Sequence, residues 1–111
     1  MKISKDDLLR VNRGFGGSLR NDASLDFALD KQTNAKLGRY KKLAYLLRAI
    51  LVDHPFSDGN KRTATFVCMA FASEEDLQVG KDLLLHQIIS IARNNLNDIR
   101  NIAERIKTAI N

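Results

Sequence analysis

The chain has one cysteine, one proline and no tryptophan in 111 residues. A lone cysteine closes no internal disulfide, so packing must hold the fold, and a reducing compartment is expected. With one proline and few alternating β-branched runs, strands have little support. Long apolar runs are missing as well. The longest is broken by Arg48 and Asp53 and is far too short to span a bilayer. The opening Met1-Lys2-Ile3-Ser4-Lys5-Asp6-Asp7 lacks the apolar stretch of a secretory signal, so a cytoplasmic protein is expected. There is no repeat, low-complexity tract or linker.

What is present suffices for one domain over residues 1–111. The apolar fraction is 44%, enough for an ordinary core without staples. The net charge of +5, from 18 basic and 13 acidic side chains, favours anionic partners: nucleotides, nucleic acid or an acidic protein. A solvated, mildly basic surface is the plainer explanation. The cations are dispersed and no aromatic stacking residues are interleaved with them, so direct nucleic-acid binding is not expected.

The periodicity is helical almost throughout. Ser4-Lys5-Asp6-Asp7 has the form of a capping box opening a helix to about Asn12. Gly14-Phe15-Gly16-Gly17 breaks it into a turn or flap. Asn21 or Asp22 caps a second short helix that buries Leu25, Ala28 and Leu29. From about Lys36 to Asp53, Leu37, Tyr40, Leu43, Ala44, Leu47, Ile50 and Leu51 form a broad apolar face, so this helix is central. Pro55 stops it and pushes His54 out of the α region. A helix from near Asn60 carries Ala64, Val67, Cys68 and Phe71 on one stripe. Asp82 caps another through Arg93. Asn95 or Asn97 begins the last, with Ile99, Ile102, Ala103, Ile106 and Ile110 as its stripe. The fold expected is an all-α bundle of about six helices with a short glycine-rich flap. Cys68 falls on a buried stripe and reads as a core thiol, and His86 as a surface histidine.

Between the two central helices stands His54-Pro55-Phe56-Ser57-Asp58-Gly59-Asn60-Lys61-Arg62. The first turn of a helix exposes amides without partners, and its dipole adds positive charge, so phosphates settle there. Lys61 and Arg62 lie at the end where the dipole disfavours cations, a conflict that a bound polyanion relieves. Asp58 beside phosphates calls for a divalent cation between them, in the manner of Mg²⁺. A capping role is the plainer reading of Asp58. His54 is placed to accept a proton from an attacking hydroxyl. Phe56 points inward and pins the loop.

This segment resembles the signature of the Fic/Doc family, His-x-Phe-x-Asp/Glu-Gly/Ala-Asn-x-Arg, at six specified positions. Gly16-Gly17-Ser18-Leu19-Arg20-Asn21-Asp22, followed by Leu25-Asp26-Phe27-Ala28-Leu29, is similar to the flap and following helix of Doc-type members. The resemblance implies transfer of part of a nucleotide onto a protein hydroxyl, with ATP as substrate and Mg²⁺ as cofactor. It implies His54, Asp58, Asn60 and Arg62 as catalytic residues, with His54 the general base and Asp58 the metal ligand. Ser57, Gly59, Asn60, Lys61 and Arg62 form the phosphate-binding turn. Gly16, Gly17, Ser18 and Leu19 form the flap on which a target segment aligns as an added strand.

Two departures choose between chemistries. AMP-transferring members resemble one another in reading Gly-Asn-Gly-Arg, with a second arginine three residues on. Here Lys61 replaces that glycine and Thr65 stands where the second arginine would be. Doc-type members share both changes and transfer phosphate. Lys61 fills space and adds a charge, and Thr65 removes a phosphate clamp. Both changes favour a nucleotide that presents its γ-phosphoryl to His54. AMP transfer is the alternative. No Ser/Thr-x-x-x-Glu-Gly/Asn inhibitory motif precedes Glu74, Glu75 or Glu104. An antitoxin acting in trans is therefore expected. The resemblance implies a disordered partner segment that folds on the toxin, and a translation elongation factor as target.

Overall fold

The Ser4 hydroxyl accepts the Asp7 amide at 3.1 Å and the Asp7 carboxylate accepts the Ser4 amide at 3.1 Å. This capping box opens α1, Lys5–Gly14. In the computed structural model, which describes residues 2–111, five more α-helices follow. They are α2 Ala23–Asp30, α3 Arg39–Leu51, α4 Asn60–Glu74, α5 Lys81–Arg93 and α6 Ile99–Ala109. A single 3₁₀ turn, Lys31–Thr33, follows α2. Among the described residues there is no extended sheet, only two isolated antiparallel bridges, Leu19 with Phe56 and Val79 with Ile110. The all-α bundle of six helices expected from the periodicity is the architecture observed. None of the helices is long and apolar enough to cross a membrane.

The centre of the bundle is α3. Leu43, Ala44, Leu46, Leu47, Ala49, Ile50 and Leu51 are all buried, more than one stripe of a helix can hold. It packs against α2, α4, α5 and α6, while α1 leans on α4 and α2. From α4 come Ala64, Val67, Cys68 and Phe71, and from α6 come Ile102, Ala103 and Ile106. Cys68 is fully enclosed, and burial pushes its thiol up to about 12. His86 is exposed.

Three helix starts differ from the sequence reading. α3 begins at Arg39, not Lys36, because the Asn34 side chain accepts the Lys36 amide at 2.9 Å and Gly38 is extended. α5 follows Gly80 with no side-chain cap, and Asp82 lies inside its first turn. α6 is capped by Asp98, which accepts the Asn101 amide at 3.1 Å, while Asn95 sits in the left-handed region at φ 48°. At α2 Asp22 stands at the N-cap position, but its side chain makes no cap hydrogen bond. Asn21 accepts the Ala23 amide at 3.0 Å, and Asp22 turns instead to Lys5 at 2.8 Å.

Candidate active site

The site begins where α3 ends. Pro55 cannot continue a helix, and His54 before it takes φ 48°. That is the left-handed region, outside the extended range usual before proline and strained for a side chain with a Cβ. The twist leaves the imidazole exposed while Pro55 and Phe56 turn inward and are buried. Phe56 is wholly enclosed, the inward anchor expected of it.

Asn60 fixes that loop to the next helix. Its Oδ1 accepts the Phe56 amide at 3.3 Å and its Nδ2 donates to the Phe56 carbonyl at 3.0 Å. The carboxamide thus pairs with both main-chain groups of one buried residue, which places it in the loop's scaffold. α4 carries no side-chain cap. The first-turn amides of α4 are left to partners outside the helix. Asp58 does not cap them. Its Oδ1 accepts the Gly59 amide at 2.7 Å, and the side chain is exposed. Gly59 has φ 72°, and a Cβ there would meet the Phe15 Cβ at 3.0 Å. Glycine is required by the turn and by the close approach of α1's end. Ser57, Lys61 and Arg62 are exposed around this turn.

The flap pairs with the signature loop. The Ser57 amide donates to the Ser18 carbonyl at 2.8 Å, and the Arg20 amide to the Pro55 carbonyl at 2.8 Å. The Ser18 amide also donates to Ser57 Oγ at 3.0 Å. These bonds flank a non-hydrogen-bonded pair of an antiparallel ladder, with Leu19 opposite Phe56. The main-chain groups of Leu19 therefore point away from Phe56, along an edge open to another strand. Gly16, at φ 85°, makes the bend into this segment.

Sequence reasoning missed Asn12. It is completely buried on α1, and its Nδ2 donates to the Asp58 carbonyl at 2.8 Å and to Thr63 Oγ1 at 3.1 Å. The signal was a polar residue four after Leu8, on the one face of α1 that is buried.

Beside the turn, α4 and α5 leave an apolar groove of about 400 Å³. Phe66, Met69, Leu85 and Ile89 form much of its wall, each 37–47% exposed, with Lys61 and Arg62 at its mouth. Larger clefts lie elsewhere, between α5 and α6 and at the start of α3, where Lys36, Arg39 and Lys41 gather. The latter is at the far end of α3 from His54, roughly 20 Å away at 1.5 Å per residue.

No group of three or more His, Cys, Asp or Glu side chains stands ready to hold a metal ion among the described residues. Mg²⁺ does not need such a cage: one carboxylate, substrate phosphates and water suffice. The exposed Asp58, with one oxygen on the Gly59 amide and the other free of that bond, fits this mode of binding.

The helix-bounded loop thus presents a histidine, a carboxylate and an uncapped helix start beside a strand-like flap. The model of the Fic/DOC family matches residues 3–72, and the chain belongs to that family. Its members transfer nucleotide-derived groups to proteins. No curated protein and no solved structure matches the chain.

Proposed function

We propose that this chain is a Doc-type toxin that moves the γ-phosphoryl group of ATP onto a hydroxyl of a target protein. His54 takes the proton of the hydroxyl. The new oxygen–phosphorus bond forms as the bond from the γ-phosphorus to the β,γ-bridging oxygen breaks, and ADP leaves. Lys61, Arg62 and the free amides of α4 hold the phosphates, with Ser57 and Gly59 shaping the turn. Mg²⁺ on Asp58 would supply charge neutralisation between the phosphates. Asn60 keeps the loop, and so His54, in place.

The observation that carries phosphate transfer over AMP transfer is at position 65. The Thr65 hydroxyl donates to the Lys61 carbonyl at 2.9 Å, inside its own helix. It offers no charge to a third phosphate, so the clamp of AMP-transferring members has no counterpart there. Lys61, one turn earlier, brings a cation to a point their glycine leaves empty.

The free edge at Leu19 supports a target segment that adds as a strand, held by main-chain hydrogen bonds. The groove between α4 and α5 supports an antitoxin acting in trans, whose segment lays an apolar helix face beside Lys61 and Arg62. A translation elongation factor in the cytoplasm is the target we propose. ATP labelled separately at the α- and γ-phosphates, incubated with the protein and a cell extract, tests the reading. Label from the γ position alone supports it. Label from the α position would make the protein an adenylyltransferase.

A further inference from the structure

Asn12 lies outside the signature, yet it contacts both the Asp58–Gly59 turn and the flap at Gly17. Its Nδ2 holds the Asp58 carbonyl and the Thr63 hydroxyl. Its main-chain carbonyl accepts the amides of Phe15 at 2.9 Å and Gly17 at 3.1 Å. A Cβ at Gly17 would lie 2.3 Å from both Asn12 Oδ1 and the Asp58 carbonyl oxygen. A Cβ at Gly59 would lie 3.2 Å from Asn12 Nδ2. The carboxamide is thus wedged between two glycines, one in the flap and one in the phosphate-binding turn.

Core packing alone does not account for this residue. Asparagine is a poor choice inside a helix, and its Oδ1 is buried with no hydrogen-bond partner. A half-satisfied carboxamide is a worse core residue than the leucine that stands one turn before it. What asparagine supplies, and leucine cannot, is a donor to the Asp58–Gly59 peptide.

We propose that Asn12 is a positioning residue. It fixes the peptide from which the Asp58 carboxylate projects, and through Gly17 it sets the register of the flap against that turn. The α1 helix thereby couples the surface that receives the target to the turn that receives the nucleotide. The link to nucleotide rests on the function proposed above, whereas the link between α1, flap and turn does not.

The test compares Asn12→Ala with Leu8→Ala, which disturbs the packing of α1 and spares the carboxamide. Amide hydrogen exchange is read without ligand at the bonded amides of the turn, Gly59 and Thr63, and of the flap, Gly17 and Ser18, and affinity for Mg·ATP is read by calorimetry. In Asn12→Ala, exchange at both segments is expected to rise about tenfold or more and affinity to fall about tenfold, with much smaller changes in Leu8→Ala. Asn12→Asp keeps the shape but sets an oxygen against the Asp58 carbonyl, so it serves if Asn12→Ala fails to fold, with the same result expected. Equal effects of Asn12→Ala and Leu8→Ala, or unchanged exchange in the Asn12 variants, would overturn the proposal. If the parent binds no Mg·ATP while the Asn12 variants still loosen both segments, the positioning role stands and the nucleotide reading falls.

Discussion

The Asn60 carboxamide closes on both the amide and the carbonyl of Phe56, at 3.3 and 3.0 Å, so the first residue of α4 grips the loop that precedes it. Asn60→Ala leaves two main-chain groups of a buried residue unmet. The expected loss is about 1–3 kcal/mol of stability, read as a lower urea midpoint with unchanged slope. A variant as stable as the parent would show that water meets these groups equally well.

His54 combines an exposed imidazole with a left-handed backbone. His54→Ala is expected to fold normally and to lose at least about 100-fold in transfer rate. His54→Gly relieves the positive φ, so it should be no less stable than His54→Ala and equally inactive. Toxicity retained by either folded variant would remove the histidine from the proton-accepting role.

Positions 61 and 65 carry the choice of phosphate. The double variant Lys61→Gly, Thr65→Arg is expected to raise the ratio of α-label to γ-label on the target. Folding is not at stake, because both side chains lie at the surface-facing start of α4 and neither contributes to the core. A ratio that does not move would uncouple these residues from nucleotide orientation.

Cys68 is enclosed between α4 and the rest of the core, with its thiol pushed up to about 12. The thiolate fraction at pH 8 is then negligible. Native protein should resist iodoacetamide at that pH, and urea-unfolded protein should be alkylated readily. Rapid labelling of the folded chain would show that α4 opens far more often than its packing implies.

Lys5 joins α1 to α2 through Asp22 at 2.8 Å and Asp26 at 2.9 Å. The hydrogen bond that Lys5 donates holds the Asp22 carboxyl below the ordinary value, and acceptance by the Asp22 and Asp26 carboxylates holds the Lys5 ammonium above it. A depressed carboxyl stabilises above its unfolded pKa and loses that contribution as pH falls through the folded one. A raised ammonium stabilises below its unfolded pKa and loses that contribution as pH rises through the folded one. Lys5→Met should therefore melt lower than the parent between about pH 5 and pH 9, by a small amount because the half-buried pair is still screened by solvent. The two curves should converge toward both extremes. A difference that grows in acid would assign the effect to packing of the lysine stem.

Much of this was legible in the chain because it is local. The capping box at Ser4 and Asp7, the inward Phe56, the buried stripe of Cys68 and the all-helical pattern all follow from spacings of two to four residues. Helix starts were harder. Around Asn95, Asn97 and Asp98 three capping side chains compete, and spacing alone does not separate them; the structure uses Asp98. The pairing of Leu19 with Phe56 and the reach of Asn12 to Asp58 span 37 and 46 residues, so no local pattern encodes them. Asn60 read as a phosphate contact because its partner lies behind it, in a loop whose path only the folded chain defines.

The fit of Asn12 between Gly17 and Gly59 bears on any attempt to borrow this chemistry. Residues 54–62 grafted onto another helical hairpin would bring the reactive side chains but leave behind the floor they stand on. A working transplant would have to include the first helix and its glycine bend, which makes α1 through α4 the smallest movable unit.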